Sequence, residues 1–162
     1  MHTLPFFSLL VLVPCGWSLI IWLTAGLTGW AQLGRRFPQR QEPQGSTRTA
    51  GGFFCTVYMR FGCKYDSVVR MTAAENALYL RIFFLFRPGH PPLEIPWQEI
   101  SITQKRRFLV QMVELRLGRR EQIPLCFRIS HAQKLGLIGP NGEPVLPQGN
   151  GAMSLPAYLP IE

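Results

Sequence analysis

Hydrophobic and polar positions along this chain fall into two regimes. From Leu4 to Leu33 the residues read LPFFSLLVLVPCGWSLIIWLTAGLTGWAQL, apolar except for Ser, Thr and one Gln. A bilayer core takes about 20 apolar residues as a helix, so this run predicts a membrane-spanning helix. It has no solvated face, which argues against a core helix of a soluble body. Pro14 would kink it or mark its beginning, and Trp17, Trp22 and above all Trp30 are candidates for the interfacial aromatic belts.

After residue 50 the period changes to two. The stretch Ala77 to Ile102 reads as one β-hairpin around which the rest is arranged. Leu78, Leu80, Ile82, Phe84 and Phe86 share one parity, and Tyr79, Arg81, Phe83, Leu85 and Arg87 the other, so the first arm should bury one face, with Phe83, Phe84 and Phe86 spent in the core. Arg87 to Pro92 holds three prolines and a glycine and should form a stiff turn. Further strands are expected over Gly52 to Arg60, Ser67 to Thr72 and Phe108 to Leu117, with Thr103 to Arg107 as a connection. Gln122 to Ile129 should be the last, at a sheet edge because of Pro124. Ser130 with Gln133 fits a capping box for a short helix stopped by Gly139-Pro140.

These elements divide the chain into a helix with flanks (1–34), a tether (35–50), a β domain (51–138) and a Pro/Gly-rich tail (139–162). Phe37 to Ala50, FPQRQEPQGSTRTA, has the composition of a flexible linker that would leave the domain free to rotate. Charge sharpens the division. All 17 Lys and Arg and all 9 Asp and Glu, net +8, lie beyond residue 34. Arg35, Arg36 and Arg40 follow the apolar run at once. The positive-inside bias therefore predicts a plasma (inner) membrane protein with its carboxy-terminal part in the cytoplasm. A cleaved signal peptide is the alternative, but no basic residue precedes the run and no small-x-small cleavage site follows it. Pro14 directly before Cys15 is a poor fit to a lipidation site. Cys15, Cys55, Cys63 and Cys126 lack disulfide-scaffold spacing and are expected as thiols, a Cys55–Cys63 bridge requiring an oxidising compartment.

The pieces LYLRIFFLF at Leu78 to Phe86 and PPLEIPWQEI at Pro91 to Ile100, with the G-W-x-x-L pattern at Gly29, Trp30 and Leu33, resemble bacterial single-span membrane proteins that carry a pleckstrin-homology-like (PH/GRAM-like) β domain. That resemblance implies a bent antiparallel sheet, or partly open barrel, of about six strands with a carboxy-terminal capping helix. It is nearly silent on activity, because such a fold hosts many roles.

In a meander, alternate turns share an end. One end then gathers Lys64, Arg87, His90, Arg119 and Arg120, a candidate site for lipid headgroups or other anions. The other end brings Lys105, Arg106 and Arg107 beside Glu75. Each basic side chain near an anionic leaflet contributes about 1 kcal/mol, although turn arginines are commonly just solvated. Trp97 is either a packing residue or an anchor for a partner protein. Nucleic acid is not expected, since no recognition helix, zinc-finger spacing or RNA-binding strand motif occurs. An enzyme would draw on His90, His131, Asp66, Glu99 or Cys63. None of these stands in a nucleophile elbow, carboxylate pair, phosphate loop or metal-ligand pattern, so neither catalysis, cofactor nor metal is expected. The reading is a membrane-anchored module that binds anionic lipid or a membrane-associated protein, with an uncharacterised enzyme near His90 as the alternative.

Overall fold

The computed structural model describes residues 3–51, 55–107, 110–139 and 142–145. Helix α1, Thr3–Thr28, runs through Pro14. Gly29 then takes φ +86° and breaks the axis, and α2, Trp30–Arg36, follows in a new direction. Among the described residues Leu10–Thr28 is long and apolar enough to cross a membrane by length and composition. Its outer part is exposed, while Ile21, Ala25 and Thr28, spaced four and three apart, form a buried stripe that Trp30 and Leu33 continue. One stripe of the helix's last third thus packs into the domain, while Trp22, Leu23 and Leu27 on its other faces stay exposed.

The body consists of two antiparallel sheets. Its strands are β1 Arg48–Gly51, β2 Thr56–Tyr58, β3 Lys64–Asp66, β4 Val69–Ala73, β5 Ala77–Ile82, β6 Leu93–Pro96, β7 Ile100–Arg107, β8 Val110–Leu117 and β9 Ile123–Arg128. One sheet has the order β1-β4-β5-β6 and the other β3-β2-β9-β8-β7. Period-two burial in β4, β6 and β9 points Val69, Met71, Leu93, Ile95, Leu125 and Phe127 inward. The short helix α3, Ile129–Leu135, packs against β1, β8 and β9.

Several sequence expectations change. The first arm of the central hairpin stops at Ile82, the last residue that pairs with β4. Phe83 gives its N–H to the Val68 carbonyl, and Phe84–Phe86 coil into a short 3-10 turn. Both parities of Phe83 to Phe86 are apolar, so periodicity could not say where the ladder ends. Of the stretch expected as one strand from Gly52 to Arg60, only Thr56–Tyr58 is strand, while β1, in the other sheet, precedes it and begins within the expected tether; Gly52, Phe53 and Phe54 lie outside the described residues. Thr103 to Arg107 is strand, paired along β8, and not a connection. The expected start of β8 at Phe108 and Leu109 lies outside the described residues.

Strand β9 is interior rather than an edge. Pro124 is tolerated there because β2 pairs only as far as Cys126, so no neighbour on that side needs its missing N–H. Helix α3 begins at Ile129 after an Arg128 cap without a side-chain bond, so the capping box at Ser130 does not form. Gly136, at φ +73°, ends it with the Leu137 N–H returning to the Ala132 carbonyl. The expected tether is pinned along β6. Gln39 N–H meets the Pro92 carbonyl at 3.0 Å, Glu94 N–H meets Phe37, and Arg81 holds Gln39 and Glu42. These bonds, with α2 in the core, remove the free rotation that composition suggested. Most of the tail lies outside the described residues; Pro144 bridges back to Ile138.

Candidate functional site at the helix–domain junction

The site is built where α1 enters the β body. Strand β3 alternates, sending Lys64 and Asp66 out and Tyr65 in. The Tyr65 hydroxyl lies 2.9 Å from the Thr28 hydroxyl on α1 and 2.9 Å from Nε2 of His90, whose Nδ1 is 3.1 Å from the Pro88 carbonyl. A carbonyl only accepts, so the Nδ1 atom carries the proton. Nε2 then accepts from Tyr65, while the Tyr65 oxygen and the Thr24 carbonyl, each 2.9 Å from the Thr28 hydroxyl, share that hydroxyl's one proton. Trp30 closes the cluster, its ring edge-on to His90 at 5.5 Å and its Nε1–H donating to the Pro91 carbonyl at 2.9 Å.

Burial sets the electrostatics here. It pushes the His90 imidazole below its usual range, against the pull of the Pro88 and Phe86 backbone, and pushes the Tyr65 phenol up. His90 is therefore neutral at physiological pH, with both nitrogens engaged. A histidine in a Gly/Pro turn is ordinarily solvated, whereas His90 is 2% exposed. A glycine–proline turn can fold back when an apolar helix lies beside it, and that helix is distant in sequence.

The other sequence candidates separate. The turns at 60–63 and 118–122 meet at Glu121: Arg60 reaches its carbonyl at 2.8 Å, and Arg36 of α2 holds its carboxylate at 2.8 and 2.9 Å. Burial alone would raise Glu121, but its bonds to Arg36 outweigh this and hold the carboxyl low. Lys64 is paired with Asp66 at 2.7 Å. Arg119 is held by its Nε–H to the Gln98 carbonyl and its backbone N–H to Glu99. Arg87 and Arg120 are exposed and form no ion pair within 4 Å among the described residues.

Trp97 is buried and donates its indole N–H to the Ala74 carbonyl at 2.9 Å, which makes it a packing residue rather than a surface anchor. Of the basic cluster expected beside Glu75, Lys105 pairs elsewhere. Lys105 faces Glu114 across β7 and β8 at 2.6 Å, and Glu75 accepts from Ser46; the side chains of Arg106 and Arg107 lie outside the described residues. No group of three His, Cys, Asp or Glu that could hold a metal ion occurs among the described residues.

Sequence reasoning missed an apolar surface beside this junction. Phe83, Phe84 and Leu85 are 53%, 67% and 51% exposed, and Phe61, at φ +58° on the neighbouring turn, is 87% exposed. Phe86 tucks against Trp17 of α1, with ring centres 5.6 Å apart. A crevice of about 240 Å³ opens here, with Trp17, Ile20 and Phe86 along its apolar wall and Lys64, Tyr65 and His90 at its polar end. The signal in the sequence was the run of four apolar residues before a proline-rich turn, longer than a one-sided strand requires. No family model, curated protein or solved structure matches this chain.

Proposed function

We propose that the chain is a non-enzymatic, single-pass membrane protein whose β domain, of pleckstrin-homology-like kind, is a binding module at the cytoplasmic leaflet. Its ligands are anionic lipid headgroups met by Arg87, Arg120 and Lys64, or a membrane-associated protein that docks on the same end. The observation that carries this is the merging of helix and domain: Ala25, Trp30 and Leu33 belong to the β body's core, and Thr28 is buried against Tyr65. A domain joined in this way has one attitude toward the bilayer, with the α2-side turns nearest the lipid.

The same merging moves the span. With Ala25 and Thr28 buried in protein, the 20 residues from Thr3 to Trp22 remain for the lipid, about 30 Å of helix and the thickness of a bilayer core. Trp17 and Trp22 then stand near the interface, whereas Trp30, expected there, is fully buried. Cleavage near Ala31 would strip Thr28 and Trp30 from the core, which favours a retained anchor over a removed leader. Catalysis at His90 is disfavoured because neither nitrogen is free to take a proton from a substrate without breaking the clasp.

Extraction of the full chain from vesicles of phosphatidylcholine and phosphatidylglycerol tests the lipid reading. Co-purifying lipid should be enriched in phosphatidylglycerol, and the enrichment should fall in an Arg87→Ala, Arg120→Ala variant. Equal lipid composition in protein and bulk would refute headgroup binding. Protease treatment of intact spheroplasts should leave the β domain uncut; its digestion from outside would refute the orientation.

A further inference from the structure

We propose that the turn Phe83–Arg87 is a wedge that enters the acyl region of the leaflet beside α1, with phospholipid chains as its partner. This rests on the reading of α1 as a span and adds a second point of insertion. Thr28 marks where the helix joins the β body, and Trp17 lies eleven residues before it, roughly 16 Å along a helix that rises about 1.5 Å per residue. Phe86 packs on Trp17, so the turn climbs the outside of α1 well past the junction.

With Trp22 at the edge of the acyl core, Trp17 lies about 7.5 Å inside it, within the roughly 5–10 Å to which interfacial apolar faces insert. The exposed rings of Phe83 and Phe84 and the Leu85 side chain are therefore continuous with the lipid-facing surface of α1. Such a contiguous apolar group is uncommon on a surface that faces water only.

The turn is also built to stay against the helix. Gly89, at φ +73°, brings its backbone so close that an added Cβ would lie 3.0 Å from the Ala25 Cβ and 3.1 Å from the Trp22 Cα. Pro88 sits with Pro14, Ser18 and Trp22 around a shared hollow. The N–H groups of Phe83, Phe86 and Arg87 are bonded to carbonyls of Val68, Phe83 and Phe84, which lowers the cost of taking this backbone out of water. Arg87, at the end of the turn, can reach back to the headgroups.

Photocrosslinking of the full chain in vesicles of tritiated phosphatidylcholine tests the wedge. Benzoylphenylalanine replaces Phe84, or Leu12 on the exposed face of α1, or Glu75 in the exposed turn after β4. Lipid adduct at position 84 should come within about twofold of that at 12 and exceed that at 75 by about tenfold, as the depth argument requires. Adduct at 84 no greater than at 75, with position 12 still labelled, would overturn the wedge and leave the span intact. A covalent dimer at 84 in place of lipid would assign the face to a second copy and overturn it as well. Failure to capture lipid at position 12 would remove the span and the wedge with it.

Discussion

Replacing Tyr65 by Phe removes one oxygen from the middle of the clasp between α1 and the β body, and its consequences are unequal at the two ends. The ring keeps its place against Trp30 and His90. Thr28 loses little, because its hydroxyl can turn to the Thr24 carbonyl 2.9 Å away on its own helix. His90 has no such alternative. Its Nδ1–H is committed to Pro88, and Nε2 is left as an acceptor without a donor in a residue that is 2% exposed. Stranding a buried acceptor costs about 1–3 kcal/mol. At about 2–4 °C per kcal/mol for a body of this size, the melting temperature in detergent should fall by roughly 2–12 °C.

Thr28→Val is the internal control. It leaves Tyr65 donating to His90, takes away a hydroxyl shared between Tyr65 and a Thr24 carbonyl that α1 itself can satisfy, and should cost less than about 1 kcal/mol. In the double variant the Thr28 change should add almost nothing to Tyr65→Phe, because the interaction it removes has already gone. Equal losses for the two single variants, or an unchanged melting temperature for Tyr65→Phe, would refute the proton order Thr28 to Tyr65 to His90.

Burial holds His90 below the ordinary value of about 6.5, so the unfolded chain binds its proton first; stability should be full above that pH and fall as pH drops toward the folded value, by at most about 1.4 kcal/mol per unit. His131, lowered by burial and by Lys134 and Arg128, has the same sign, so acid titrations of His90→Gln and His131→Asn should each flatten the curve in part. Gly29→Ala puts a side chain at φ +86° and within 2.7 Å of Ile123 Cδ1, and should cost on the order of 1–3 kcal/mol by thermal melting. Trp97→Phe leaves the buried Ala74 carbonyl without its donor and should destabilise by about 1–3 kcal/mol, while lipid co-purification stays as in the parent.

Some features were readable along the chain because they are local. Thirty uncharged residues can only make an apolar helix, and strict alternation in Ile123 to Arg128 can only make a half-buried strand; both stand in the structure.

What sequence could not supply is which apolar surface meets which. Ala25 and Gly29 are four apart, a spacing that chance often supplies and that by itself names no neighbour; in the structure they fit closely against Gly89 and Ile123 of the β body. Phe83, Phe84 and Phe86 were assigned to the core on hydrophobicity alone, yet the first two are exposed and the third rests on Trp17. His90 looked solvated because its neighbours in sequence are Gly and Pro, and it is buried because its neighbours in space are Tyr65 and Trp30. Periodicity records which faces avoid water. Only the packing of α1 against residues sixty positions away decides whether an apolar face is covered by protein or left for another apolar phase.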